Sequence, residues 1–105
     1  MKKKDVPAML RRIGIPMAYD HFAEGEAPKP PFCVYLYPRS DNFAADGKAY
    51  FKQDVLHVEI YTNKKDLSLE DRAEDVFDEY GLFYAKSEVW IQSERLYEVL
   101  YQMEV

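Results

Sequence analysis

The sequence predicts an α+β domain: a single four-stranded, mostly antiparallel sheet with two helices on one face, in the order α-β-β-α-β-β. Three observations carry that prediction. From Val55 to Thr62, Leu56, Val58 and Ile60 alternate with His57, Glu59 and Tyr61, the period of two of a half-buried strand. Directly after it, Leu69, Ala73, Val76, Phe77 and Tyr80 recur at helical spacing among Glu70, Asp71, Arg72, Glu74, Asp75, Asp78 and Glu79. Two more alternating segments close the chain. A strand with one apolar face and a helix with one apolar stripe become stable by covering each other, so the remaining segments are expected to extend that layer.

The elements follow in order. Asp5 is placed to cap a short first helix whose stripe is Val6, Met9, Leu10 and Ile13, with Pro7 tolerated in the first turn and Gly14 and Pro16 ending it. From Ile15 to Pro31, four prolines, one glycine and scattered acids suit an extended surface crossing, with Tyr19 and Phe22 tucked against the core. Phe32 to Tyr37 is the first strand, with Phe32, Val34 and Leu36 on one face and Cys33, Tyr35 and Tyr37 on the other. Between Arg39 and Asp54 the Asp46-Gly47 dipeptide, favoured in two-residue turns, predicts a long β-hairpin arm bearing Phe43, Tyr50 and Phe51. Ser68 reads as the N-cap of the second helix with Asp71 as a weak capping-box partner, and Gly81 as its left-handed C′ residue. Phe83, Ala85, Ser87, Val89 and Ile91 then alternate with Tyr84, Lys86, Glu88 and Trp90. After a turn at Gln92 to Glu94, the last strand sets Tyr97, Val99, Tyr101, Met103 and Val105 against Leu96, Glu98, Leu100, Gln102 and Glu104. These two are expected to form a hairpin. With both helices on one side, the other sheet face stays partly bare and carries Tyr35, Tyr37, Tyr61, Tyr84, Trp90 and Leu96 or Leu100.

The 105 residues suit one domain, 1–105, with one modest core. A net charge of -5 argues against a protein built to grip phosphates, and Lys2 to Lys4 read as a solvated tip. A single cysteine, Cys33, inside an apolar run predicts a buried thiol and a reducing, cytoplasmic setting. No apolar window approaches the roughly 20 residues of a bilayer span, and no signal-peptide h-region opens the chain.

Catalytic patterns are sparse. Asp20-His21 offers an acid beside a base, but the same pair suits a loop next to packed aromatics. His57 faces away from Leu56, Val58 and Ile60, as a cross-strand partner would. Cys33 becomes a nucleophile only if a histidine and an acid converge on it. Metal-ligand spacing is missing, so no metal or other cofactor is expected. Glu74 with Asp78, and Asp75 with Glu79, are four-apart acids that repel each other on a solvated helix face. Gly14, Gly25, Gly47 and Gly81 form no phosphate loop. What remains is surface. Interfaces are rich in Tyr, Trp and Phe, so the residues favour assembly: an arm patch of Phe43, Asp46, Gly47, Tyr50 and Phe51, and a sheet-face patch of Tyr35, Tyr37, Tyr61, Tyr84 and Trp90.

Several runs also carry a family resemblance. Gly14 to Phe22, Pro30 to Tyr37, Asp41-Asn42-Phe43 with Ala45-Asp46-Gly47 and Tyr50, Glu59 to Asp66, and Leu96 to Tyr101 together resemble small prophage tail proteins of Gram-positive hosts. The resemblance implies a tail terminator, or tail completion, protein of a long-tailed phage, similar in architecture to lambda-type terminators. Such a subunit joins itself in a ring, usually a hexamer, that caps the tail tube protein and docks the head connector protein, with DNA only as passing cargo. No cofactor, catalysis or membrane belongs to that role. It works in the host cytoplasm during assembly and then at the head-tail junction of the virion. A head-side connector or stopper is the alternative at the same junction, and a small-molecule or catalytic domain around Asp20, His21 and Cys33 is the alternative of another class. A ring needs two different patches that fit head to tail, and the arm and the sheet face could supply them. The acidic helix face is a candidate lining for a lumen through which DNA slides.

Overall fold

The structure, a computed structural model, describes residues 1–45 and 48–105, and for residues 43–45 and 48–51 only their backbone. Its elements are a 3₁₀ turn at Lys3–Asp5, α1 (Val6–Arg11), β1 (Met17–Tyr19), β2 (Phe32–Ser40), β3 (Phe43–Ala45), β4 (Lys48–Phe51), β5 (Asp54–Thr62), α2 (Leu67–Glu79), β6 (Tyr84–Ile91) and β7 (Leu96–Glu104). The α+β class holds, but the sheet has five strands in the order β1-β2-β5-β7-β6, not four. The addition is β1, which lies in the stretch expected to be a surface crossing. It runs parallel to β2, pairing Met17 with Cys33 and Tyr19 with Tyr35, while every other neighbouring pair is antiparallel. Three residues with an edge to themselves leave almost no periodic signal.

The core is the predicted layer. Val6, Met9, Leu10 and Ile13 from α1 and its end, and Leu69, Ala73, Val76 and Phe77 from α2, close over Leu56, Val58, Ile60, Val99, Tyr101 and Met103. Both helices therefore cover one sheet face, and Arg72 Nε donates to Ile13 O at 2.7 Å to tie them together. The cap of α2 is Asp66 rather than Ser68: Asp66 Oδ1 accepts from Leu69 N at 3.0 Å. At the other end Gly81 takes φ +69°, Leu82 N donates to Phe77 O and Gly81 N to Asp78 O, which satisfies carbonyls of the last turn. Asp5 occupies the N-cap of α1 without a side-chain cap bond, and its carboxylate accepts from Lys2 N instead.

Because β5 and β6 both pair antiparallel with β7, they run parallel to each other, and α2 is the crossover between them. The last two strands form the expected hairpin. Between β2 and β5, β3 and β4 form a separate two-stranded sheet, so the arm exists as backbone. At its base Asp41 N donates to Gln53 O and Gln53 N to Asn42 Oδ1. Asp46 and Gly47, and the side chains of Phe43, Tyr50 and Phe51, lie outside the described residues.

Candidate functional site

The strand register decides which side chains share a face, and it overturns most of the predicted aromatic patch. Cys33 and Tyr35 stand opposite Ile60 and Val58, which belong to the helix-covered face, so Tyr35 faces the helices. Tyr37 packs against the same cluster. Tyr84 stands opposite Met103, and Trp90 opposite Tyr97, again on the helix side. Tyr19, Tyr35 and Tyr37 gather at the sheet margin with ring centroids 5.3 to 6.5 Å apart. Trp90 lies 4.7 Å from the Tyr97 ring, and Tyr84 meets Phe77 and Tyr101. Of the five sheet-face residues only Tyr61 lies on the open face. The physical reason is that β2 and β6 carry apolar groups on both faces, so alternation alone leaves their polarity undecided.

On the open face Phe32, Val34, Tyr61, Leu96 and Leu100 line up with His57, Glu59 and Glu98. Phe32 stacks on Tyr61 at 5.2 Å, and Phe22 meets Phe32 edge-on at 5.5 Å, so the segment after β1 crosses this face instead of leaving it bare. Tyr61 Oη donates to Glu59 Oε1 at 2.7 Å and approaches Glu98 Oε2 at 3.3 Å. Burial pushes the Glu98 carboxyl above its usual range, and nearby Glu59 adds to that.

At one end of this face a cleft of about 270 Å³ is lined by Asp20, His21, Phe22, Phe32, Tyr61 and Leu96, among others. His21 Nδ1 lies 2.8 Å from Asp20 Oδ2, so the predicted pair forms, with both side chains largely exposed. Cys33 does not join it. Its thiol lies in the core beneath the helices, and burial, aided by Glu59, pushes it up to about 12. The cleft is smaller than the roughly 300 Å³ at which small-molecule sites begin. A second concavity, about 450 Å³, lies by Gly81, Phe83, Ala85, Gln102 and Glu104. Glu104 is its one carboxylate, and it sets no nucleophile beside a base. Among the described residues no group of histidines, cysteines and acids has the arrangement to hold a metal ion, and no helix is long and apolar enough to cross a membrane.

The acidic helix face is partly neutralised, which the sequence did not reveal. Lys65 Nζ lies 2.6 Å from Glu70 Oε2 and also pairs with Glu88, while Lys86 Nζ lies 2.8 Å from Glu70 Oε1 and 2.7 Å from Glu74 Oε2. Tyr84 and Tyr101 hydroxyls donate to Glu74, and Arg12 pairs with Glu79. Asp71, Asp75 and Asp78 remain exposed.

The open features are thus an arm and an edge. β6 has one neighbour, β7, and its residues 85–90 are all exposed, with Val89 at 52% and Trp90 at 39%. Phe83, just before it, is 91% exposed. No family model matches this chain, and no curated protein matches it.

Proposed function

We propose that the chain is a structural subunit of a long-tailed phage, a tail terminator that closes a ring on the tail tube and docks the head. The observation that carries this reading is the β3–β4 arm, a two-stranded sheet set apart from the five-stranded one. A lone hairpin is marginal in water, so an arm of this kind gains most by lying against another chain. Assembly as a ring asks for a projecting element on one side of the subunit and a receiving surface on the other. The helix-free sheet face, where Phe32, Tyr61, Leu96 and Leu100 are half-buried, is the receiving surface in this reading. Asp71, Asp75 and Asp78 give α2 an exposed negative face, the property that lets a duplex slide past without being held. The motif resemblance supplies the specific role within that assembly class.

The test is electron microscopy of particles made without this protein. Overlong tails are expected. Normal tails beside leaking heads would reassign it to the head side of the junction, and intact infectious particles would sink the reading altogether.

A further inference from the structure

The outer edge of β6 carries a pattern of its own. Its register with β7 runs unbroken from Tyr84 to Ile91, with no bulge and no proline to blunt the edge. Read antiparallel against itself about Ser87, the strand is its own complement. On the helix side Lys86 meets Glu88 and Tyr84 meets Trp90. On the open side Ala85 meets Val89, and Phe83, just before the strand, comes near Ile91. Apart from Ser87, which meets its own copy at the axis, each position finds a partner of opposite charge or of apolar character, and each pair shares one face, as a continuous sheet requires.

We infer that β6 is the interface of a two-fold dimer, in which a second copy of this chain adds its own β6 antiparallel and the two sheets become one of ten strands. Charge complementarity selects a second copy over an unrelated strand. Lys86, which already holds Glu70 and Glu74, meets the Glu88 of the neighbour, and Glu88, which pairs with Lys65, meets the neighbour's Lys86. An inward-facing lysine normally protects an edge from pairing. Here its charge is answered on both sides. The exposed apolar groups fit the same arrangement: Phe83 and Val89 would lose water beside a second strand. A two-fold contact closes on itself, so the dimer does not depend on the tail-terminator reading and would stand if that reading failed.

Ser87→Cys tests the axis directly. Opposed residues in antiparallel strands sit roughly 4.5 to 5.5 Å apart at Cα, within the roughly 4.4 to 6.8 Å that a disulfide spans. Cys33 is buried and un-ionised, so it contributes no background. The expected results are a dimer by sedimentation equilibrium, rapid intermolecular cross-linking of Ser87→Cys, and cross-linking of Ala85→Cys only when it is mixed with Val89→Cys. Glu88→Lys sets like charges opposite Lys86 at both ends and is expected to weaken the dimer by about tenfold or more at low salt. A monomeric wild-type chain, or an Ala85→Cys variant that cross-links alone as fast as Ser87→Cys, would overturn the inference. Association that vanishes when residues 43–51 are replaced by a short turn, yet ignores Glu88→Lys, would put an arm strand on this edge and overturn it too.

Discussion

At the scale of single residues, the most informative side chain is Glu70. It sits on a helix that reads as a solvated acidic face, yet it is 3% exposed. Burial alone would push its carboxyl up, but hydrogen bonds and charge from Lys65 and Lys86 outweigh burial and hold it below the ordinary range. Glu74 follows the same balance, with burial opposed by Lys86, Tyr101 and Tyr84. Both folded-state values are depressed, so their stabilisation is complete above the unfolded carboxylate range, about pH 4.5, and is lost as pH falls through the folded values. Glu70→Gln should therefore flatten the acid limb of a stability-pH profile measured by urea unfolding. At pH 7 it should cost about 2 kcal/mol, less than a fully enclosed pair because both lysines reach solvent. An unchanged acid limb would mean that the network contributes nothing. The Lys86 half of this was not readable from spacing, because Lys86 lies on β6 and meets Glu70 only once β6 is placed, whereas Lys65 sits in the turn just before α2.

At the scale of elements, the helices and β5 were legible. The predicted stripes of α1 and α2 are the buried residues Val6, Met9, Leu10, Ile13, Leu69, Ala73, Val76 and Phe77, while Tyr80, the last of the α2 stripe, is its half-buried C-cap. Periodicity decides such elements because each has only one apolar side to hide. Caps are less certain, since several adjacent residues compete for one position. Ser68 and Asp66 both carry suitable side chains, and the backbone turn selects Asp66, whose carboxylate accepts from Leu69 N. Asp66→Ala should destabilise the protein by about 1 kcal/mol in thermal unfolding, whereas Ser68→Ala should stay within about 0.5 kcal/mol. Equal losses would show that the cap is shared. Alternation locates β2 and β6 in the chain but does not decide which face each side chain takes. In β2, Phe32, Val34 and Leu36 compete with Cys33, Tyr35 and Tyr37, and only pairing with β5 decides between them.

At the scale of the whole molecule, the arm is the feature whose removal should separate folding from assembly. It belongs to its own sheet, and its base is joined by Asp41, Asn42 and Gln53. On the tail-terminator proposal, replacing Tyr50 and Phe51 together by serine is expected to leave the melting temperature within a few degrees while blocking the joining of heads to tails. The measurement is a melt alongside complementation of a phage that lacks the protein. Normal joining by the double variant would remove the arm from the assembly interface.

By itself the sequence determined what is written locally: the α+β class, the apolar stripes of both helices, the polarity of β5 and β7, and the glycine that ends α2. These follow from periods of 3.6 and 2 and from backbone preference, which act within a few residues. The tertiary structure alone decided the fifth strand, the helix-side placement of Tyr35, Tyr37, Tyr84 and Trp90, the contact of Lys86 with Glu70, and the open edge of β6. Each of these depends on which strand lies beside which, and a strand that is apolar on both faces takes its orientation from its neighbours.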